Sequence, residues 1–73
     1  MIGAYIKAYM KEKGIKQSFV AEKINMPPQI LGAMLNGQRR IEVTEFYSIC
    51  EAIEANPTEI AVGAGIYRQQ ATA

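Results

Sequence analysis

The residues able to do chemistry are few, and their types restrict what that chemistry is. The chain has no His, no Trp and a single Cys, and its seven acidic residues are all Glu. Those Glu are scattered over helical surfaces with no paired site. General acid–base and nucleophilic catalysis both need a titratable group held beside a second one, and no spacing here supplies that. Cys50 falls on an apolar helical stripe, where a buried, inert thiol is expected. One Cys and no His leave no ligand set for zinc. No glycine-rich loop follows a strand to cradle a nucleotide. No catalytic residue, cofactor or metal is expected, and the chain does not read as an enzyme.

What remains is a set of amides and cations. Amides are paired donors and acceptors, and Lys and Arg are cations suited to anions. The cations fall mostly in one half of the chain. Residues 1–40 carry seven Lys and Arg against Glu12 and Glu22, a net of +5; residues 41–73 carry Arg68 against five Glu, a net of −4. The overall charge of +1 conceals this polarity. A basic half suits a polyanion, and an acidic half keeps the remaining surface away from it.

Positioning these side chains falls to helices, because apolar residues recur at helical spacing and strand alternation is nearly absent. Ile2, Ile6, Tyr9 and Met10 mark a first helix ending at Gly14. Phe19, Val20 and Ile24 mark a short second one that starts near Gln17, and Asn25 suits a left-handed turn after it. Pro27 and Pro28 open a third, since proline is tolerated in a first helical turn. Ile30, Leu31, Met34 and Leu35 point inward from it, and Asn36-Gly37 ends it. After a basic loop, Thr44 is the expected cap of a fourth helix with the stripe Phe46, Ile49, Cys50, Ile53. Asn56-Pro57-Thr58-Glu59 starts a fifth, with an Asn cap, Pro at the first position and Glu three after the cap.

Seventy-three residues allow one domain with a thin core. Residues 1–67 are assigned to it and 68–73 to a loose tail. An apolar run long enough for a membrane span is missing, as is a secretion-signal pattern, and a lone Cys needs no oxidising compartment. A cytoplasmic location is expected.

Gly14 to Arg40 places two short helices about a tight turn with a cationic loop behind them. In such a geometry one helix braces on a phosphate backbone while the next enters a major groove. The segment resembles the Cro/C1 (XRE) helix-turn-helix family of phage repressors and bacterial regulators. The likeness rests on Gly14, Gln17, Val20-Ala21, Ile24-Asn25, Leu31, Met34 and Asn36-Gly37, continues through Arg39-Arg40 and the fourth-helix stripe, and reaches Asn56 to Ile60. It covers roughly residues 3–62. It implies an all-α, five-helix, lambda-repressor-like domain, a bacterial or phage source, and a Cro-like repressor that occludes a promoter. The partners it implies are a pseudo-palindromic double-stranded operator and a second copy of the chain.

Site residues follow from the resemblance. Gln17, Asn36, Gln38, Arg39, Arg40, Lys7 and Lys11 would contact the DNA backbone. Each also has a plainer reading: Asn36 as a helix terminator, Gln17 as a polar first-turn residue, and the cations as solvated side chains. Base readout would fall to Pro28, Gln29, Gly32 and Ala33. Only Gln29 among them can make a bidentate contact, for which adenine is the geometric match. Ile60, Val62, Ile66 and Tyr67 are the expected dimer interface.

The chain departs from the family at three places. The third helix lacks several long polar side chains on its outer face. Met10 and Leu35 replace an Arg–Glu ion pair, a joint change that packing tolerates. Lys16 stands where a Ser or Thr cap is usual. The bare third helix supports a rival reading, a module that binds another repressor or a toxin; a minimal structural bundle is a third.

Overall fold

In the computed structural model, which describes residues 2–66, five α-helices run in chain order: α1 (Ile2–Lys13), α2 (Gln17–Lys23), α3 (Pro28–Leu35), α4 (Val43–Ala52) and α5 (Pro57–Gly63). There is no strand among the described residues. Helix α3 packs against both α2 and α1, while α5 closes on α1 and α4 and α4 also meets α2.

The core follows the apolar stripes. Ile6 and Met10 from α1, Val20 and Ala21 from α2, Leu31, Met34 and Leu35 from α3, and Ile49, Cys50 and Ile53 from α4 and its end are buried together with Ile60 of α5. Met10 and Leu35, the expected apolar replacements for an ion pair, are both in this cluster. Ala21 is 1% exposed on α2, where that helix packs on α3. Phe19 departs from expectation. It is half exposed at 51%, turned away from the core, with the Lys23 ammonium 5.6 Å from its ring centroid. Val20, Ala21 and Ile24 already fill the inward side of a seven-residue helix, which leaves Phe19 on the outer one.

All five helices end in the same way. Each is followed by a residue with positive φ: Gly14 (72°), Asn25 (58°), Gly37 (79°), Glu54 (56°) and Gly65 (82°). The next N–H reaches back five residues, as in Ile15 N–Met10 O (2.8 Å), Met26 N–Ala21 O (2.8 Å) and Ala55 N–Cys50 O (2.9 Å). This is the Schellman closure, which satisfies carbonyls the helix itself leaves unpaired.

The starts differ from one another. Asn56 Oδ1 accepts from Thr58 N (2.8 Å) and Glu59 N (3.2 Å), as its sequence context implies. Lys16 makes no side-chain cap. Thr44 does not cap α4: it is the second helical residue, and Glu42 occupies the cap position. Glu45, three residues on, reaches back to accept from the Glu42 N–H at 2.8 Å. A carboxylate there satisfies an orphan donor and suits the positive end of the helix dipole.

Gly3 sets the fit of α1 on α3. A Cβ at that position would strike the Met34 carbonyl oxygen and sit 3.1 Å from that of Leu35, so the helix backbone is in direct contact there.

Candidate nucleic-acid interface

Helix α3 buries one side and offers the other. Leu31, Met34 and Leu35 lie in the core and Ile30 is half-buried. On the opposite side Pro28 and Gln29 are exposed, and Gly32 and Ala33 are half-buried. At 100° per residue Gln29 and Asn36, seven apart, share one azimuth, with Gly32 and Ala33 between them. The offered surface is therefore a narrow strip with one long polar side chain near its start and one amide at its end.

Helices α2 and α1 border this strip. A Cβ built on Gly32 would lie 4.0 Å from Gln17 Oε1, so the Gln17 amide flanks the middle of α3. Gln17 heads α2, where backbone N–H groups lack helical partners and favour a negative ligand. Lys7 Nζ donates to Asn36 Oδ1 at 2.9 Å, which ties α1 to the end of α3. Ala4, Lys7, Ala8, Lys11, Leu35 and Asn36 line one shallow depression. Lys7 and Lys11 line an adjoining one with Gln17. The small Ala4 and Ala8 leave the floor of the first open beside two ammonium groups. Four expected backbone contacts, Lys7, Lys11, Gln17 and Asn36, thus form one continuous border.

The two arginines differ. Arg39 is paired: Nη1 donates to both carboxylate oxygens of Glu45 and Nη2 to Oε2, each at 3.3 Å, and Nη1 also donates to the Arg40 carbonyl. Arg40 is exposed. The Glu42 N–H, with Arg39 second, holds the Glu45 carboxyl below its usual range. Gln38 is exposed, and its N–H donates to the Ala33 carbonyl at 2.8 Å in the closure of α3. Burial raises the thiol pKa of Cys50, which is fully enclosed. No group of three or more His, Cys, Asp or Glu suited to a metal occurs among the described residues. No helix among them is long and apolar enough to cross a membrane.

The expected dimer residues are placed unevenly. Ile60 is 2% exposed in the intramolecular core and is not available to a partner. Helix α5 is short and turns this side chain onto α1 and α4, where its burial helps hold the helix in place. Val62 and Ile66 are exposed. Tyr67 lies outside the described residues, as does the tail assigned to 68–73. Ile66 lines a shallow apolar groove with Ile2, Ile41, Val43 and Phe46, and Val43 is 70% exposed. Sequence reasoning overlooked this groove because Ile2 and Ile41 to Phe46 lie far apart in the chain. It overlooked Glu45 too, although Glu42-x-x-Glu45 has the spacing of a capping box.

A helix-turn-helix family model matches residues 6–60. The chain has no match among curated protein sequences. Among solved structures it is similar to the crystal structure of the clp gene regulator ClgR from C. glutamicum, with a TM-score of 0.82 and 23% identity. That likeness covers 94% of this chain and 91% of the other, and it shows a shared fold. With α2, the Asn25 turn and α3 lying inside the matched span, the chain belongs to the Cro/C1-type helix-turn-helix family of DNA-binding regulators.

Proposed function

We propose that this protein is a Cro-like repressor that reads a pseudo-palindromic operator as a homodimer and blocks a promoter by occupying it. One observation carries the reading: the outer strip of α3 is unobstructed and bordered by Lys7, Lys11, Gln17 and Asn36. Inserted in a major groove, Gln29 would hydrogen-bond a base, with adenine the geometric match. Ala33 and the Pro28 ring would meet thymine methyl groups, and Gly32 would let the backbone approach closely. The border residues, with Gln38 and Arg40, would neutralise or hydrogen-bond phosphates on either side. One long polar reader per copy is little direct readout. Specificity would then draw on DNA shape and on pairing two half-sites.

The apolar groove of Ile2, Ile41, Val43, Phe46 and Ile66, with Val62 nearby in sequence, is the surface proposed for the second copy. It shares Ile2 and Ile41 with a depression that Arg39 and Arg40 also line. Two copies meeting there would bring their basic loops close together and leave each α3 free. The proposed site of action is the bacterial nucleoid.

Selection of bound duplexes from a random pool tests the reading. A recovered motif with two inverted half-sites, and binding that weakens steeply with salt, are expected. Each phosphate contact contributes a slope of about −0.9. The nearly uncharged strip of Pro28, Gly32 and Ala33 also favours a second reading, docking on another protein. Recovery of no motif, with salt-insensitive capture of a partner repressor or toxin, would select that one.

A further inference from the structure

The Arg39–Glu45 pair ties a cation of the loop between α3 and α4 to a carboxylate of α4. We propose that Glu45 is an intramolecular competitor of phosphate: it holds Arg39 away from the DNA backbone and so sets duplex affinity below what the loop cations could supply. The proposal rests on the reading that the loop between α3 and α4 faces phosphates.

Geometry supports competition over pre-orientation. Nη1 of Arg39 donates to both carboxylate oxygens of Glu45 and to the Arg40 carbonyl, and Nη2 donates to Oε2. A phosphate would have to displace Glu45 from this edge or accept the Nε side of a guanidinium whose charge is already offset. Glu45 is itself held in place, since Oε1 accepts from Glu42 N at the head of α4. The competitor is thus anchored by a backbone bond that does not depend on Arg39. The pair is also partly exposed, at 41% and 22% for the two side chains. Exposed ion pairs are weak enough for a ligand to displace. Arg40 has no such partner among the described side chains, so the two neighbouring cations differ in availability.

Glu45→Gln is the informative change. The amide oxygen can keep the bond from Glu42 N, because Gln serves a capping box as Glu does. The amide nitrogen then presents a donor where Oε2 accepted from both Nη atoms, and with the charge gone only the Nη1 contact to the retained oxygen is left to hold the guanidinium. The probe is a short random-sequence duplex titrated at several salt concentrations, with circular dichroism confirming that each variant folds. E45Q should bind about two- to fivefold more tightly at low salt. Its log–log salt slope should steepen by up to about 0.9, the signature of one added phosphate contact.

Two comparisons separate this from a general charge effect. Glu42→Gln removes an equal charge three residues away, at the cap of α4, without touching Arg39, and its slope should stay at the wild-type value. In an Arg39→Ala background, E45Q should produce no gain and no steepening. The proposal is overturned if E45Q weakens binding, if E42Q steepens the slope equally, or if the E45Q gain persists without Arg39. A different result would reject the underlying reading: folded wild-type protein and E45Q alike showing no salt-dependent binding to the duplex.

Discussion

At the scale of single residues, the proposed base readout falls on Gln29. It is the one long amide on the outer strip of α3 ahead of the terminal Asn36, and Pro28, Gly32 and Ala33 beside it have no side-chain hydrogen-bonding group. Gln29→Ala should therefore flatten the preference at one base position per half-site by about 1–3 kcal/mol. Binding to unrelated duplexes should stay within about twofold, because phosphate contacts set the non-specific term. A set of single-base operator variants checks this; an unchanged profile would remove Gln29 from the readout. Glu45 gives a second residue-scale expectation. Its carboxyl is held below the usual carboxylate range, chiefly by the Glu42 N–H and then by Arg39. A depressed carboxylate stabilises the fold above its unfolded pKa, and that stabilisation is lost as pH falls through the lowered folded value. The melting temperatures of wild type and E45Q should therefore differ at neutral pH and converge in acid. A gap that stays constant into acid would detach Glu45 from the fold's pH response.

At the scale of elements, the helix boundaries show what could be read from residue types and what could not. Gly14, Asn25 and Gly37 mark helix ends in the sequence because Gly and Asn adopt positive φ at low cost, and each does so. Glu54 closes α4 with φ 56° and carries no such mark. The local Ala55 N–Cys50 O bond closes the helix there, and the packing of α5 on α1 and α4, a tertiary constraint, goes with the turn. Thr44 was the stronger cap by residue type, yet Glu42 holds the position because Glu45 can reach back to its N–H. Phe19 is apolar but faces out, since a helix this short has too few turns for periodicity to separate its sides. Of the residues proposed for the interface, Gln17, Asn36, Lys7 and Lys11 were expected from the family resemblance. The Arg39–Glu45 pair was not, because it spans a loop whose path local sequence does not determine. The Glu54 closure predicts a gain. Left-handed backbone costs a side-chain-bearing residue about 1–2 kcal/mol, partly offset by the flexibility glycine adds to the unfolded chain. Glu54→Gly should stabilise the domain by about 1 kcal/mol and raise the melting point by roughly 4–8 °C. A lowered melting point would mean that the Glu54 side chain contributes more than its strained backbone loses.

At the scale of the whole molecule, the proposed dimer would make a domain with little direct readout selective. Each copy would offer one strip of α3, and discrimination would be multiplied across two half-sites held at a set distance, about one helical turn for this motif. The exposed apolar groove lined by Ile2, Ile41, Val43, Phe46 and Ile66 is the surface available for that purpose. It avoids the border of Lys7, Lys11, Gln17 and Asn36, so occupying it with a second copy would leave that border free. Val43 and Ile66 are 70% and 61% exposed, which makes them replaceable without opening the core. The double change Val43→Glu and Ile66→Glu places like charges across any self-contact and should yield a folded monomer. Binding to an inverted pair of half-sites should then fall by about 10²-fold or more, the usual scale of avidity. Binding to a single half-site should change only by the modest amount that two added negative charges bring. Sedimentation of both proteins, together with titrations on one and two half-sites, decides the matter. If the double variant still sediments as a dimer and keeps its two-site affinity, the groove is not the seam. If wild type is monomeric even on the paired site, the readout must instead be completed by DNA shape alone.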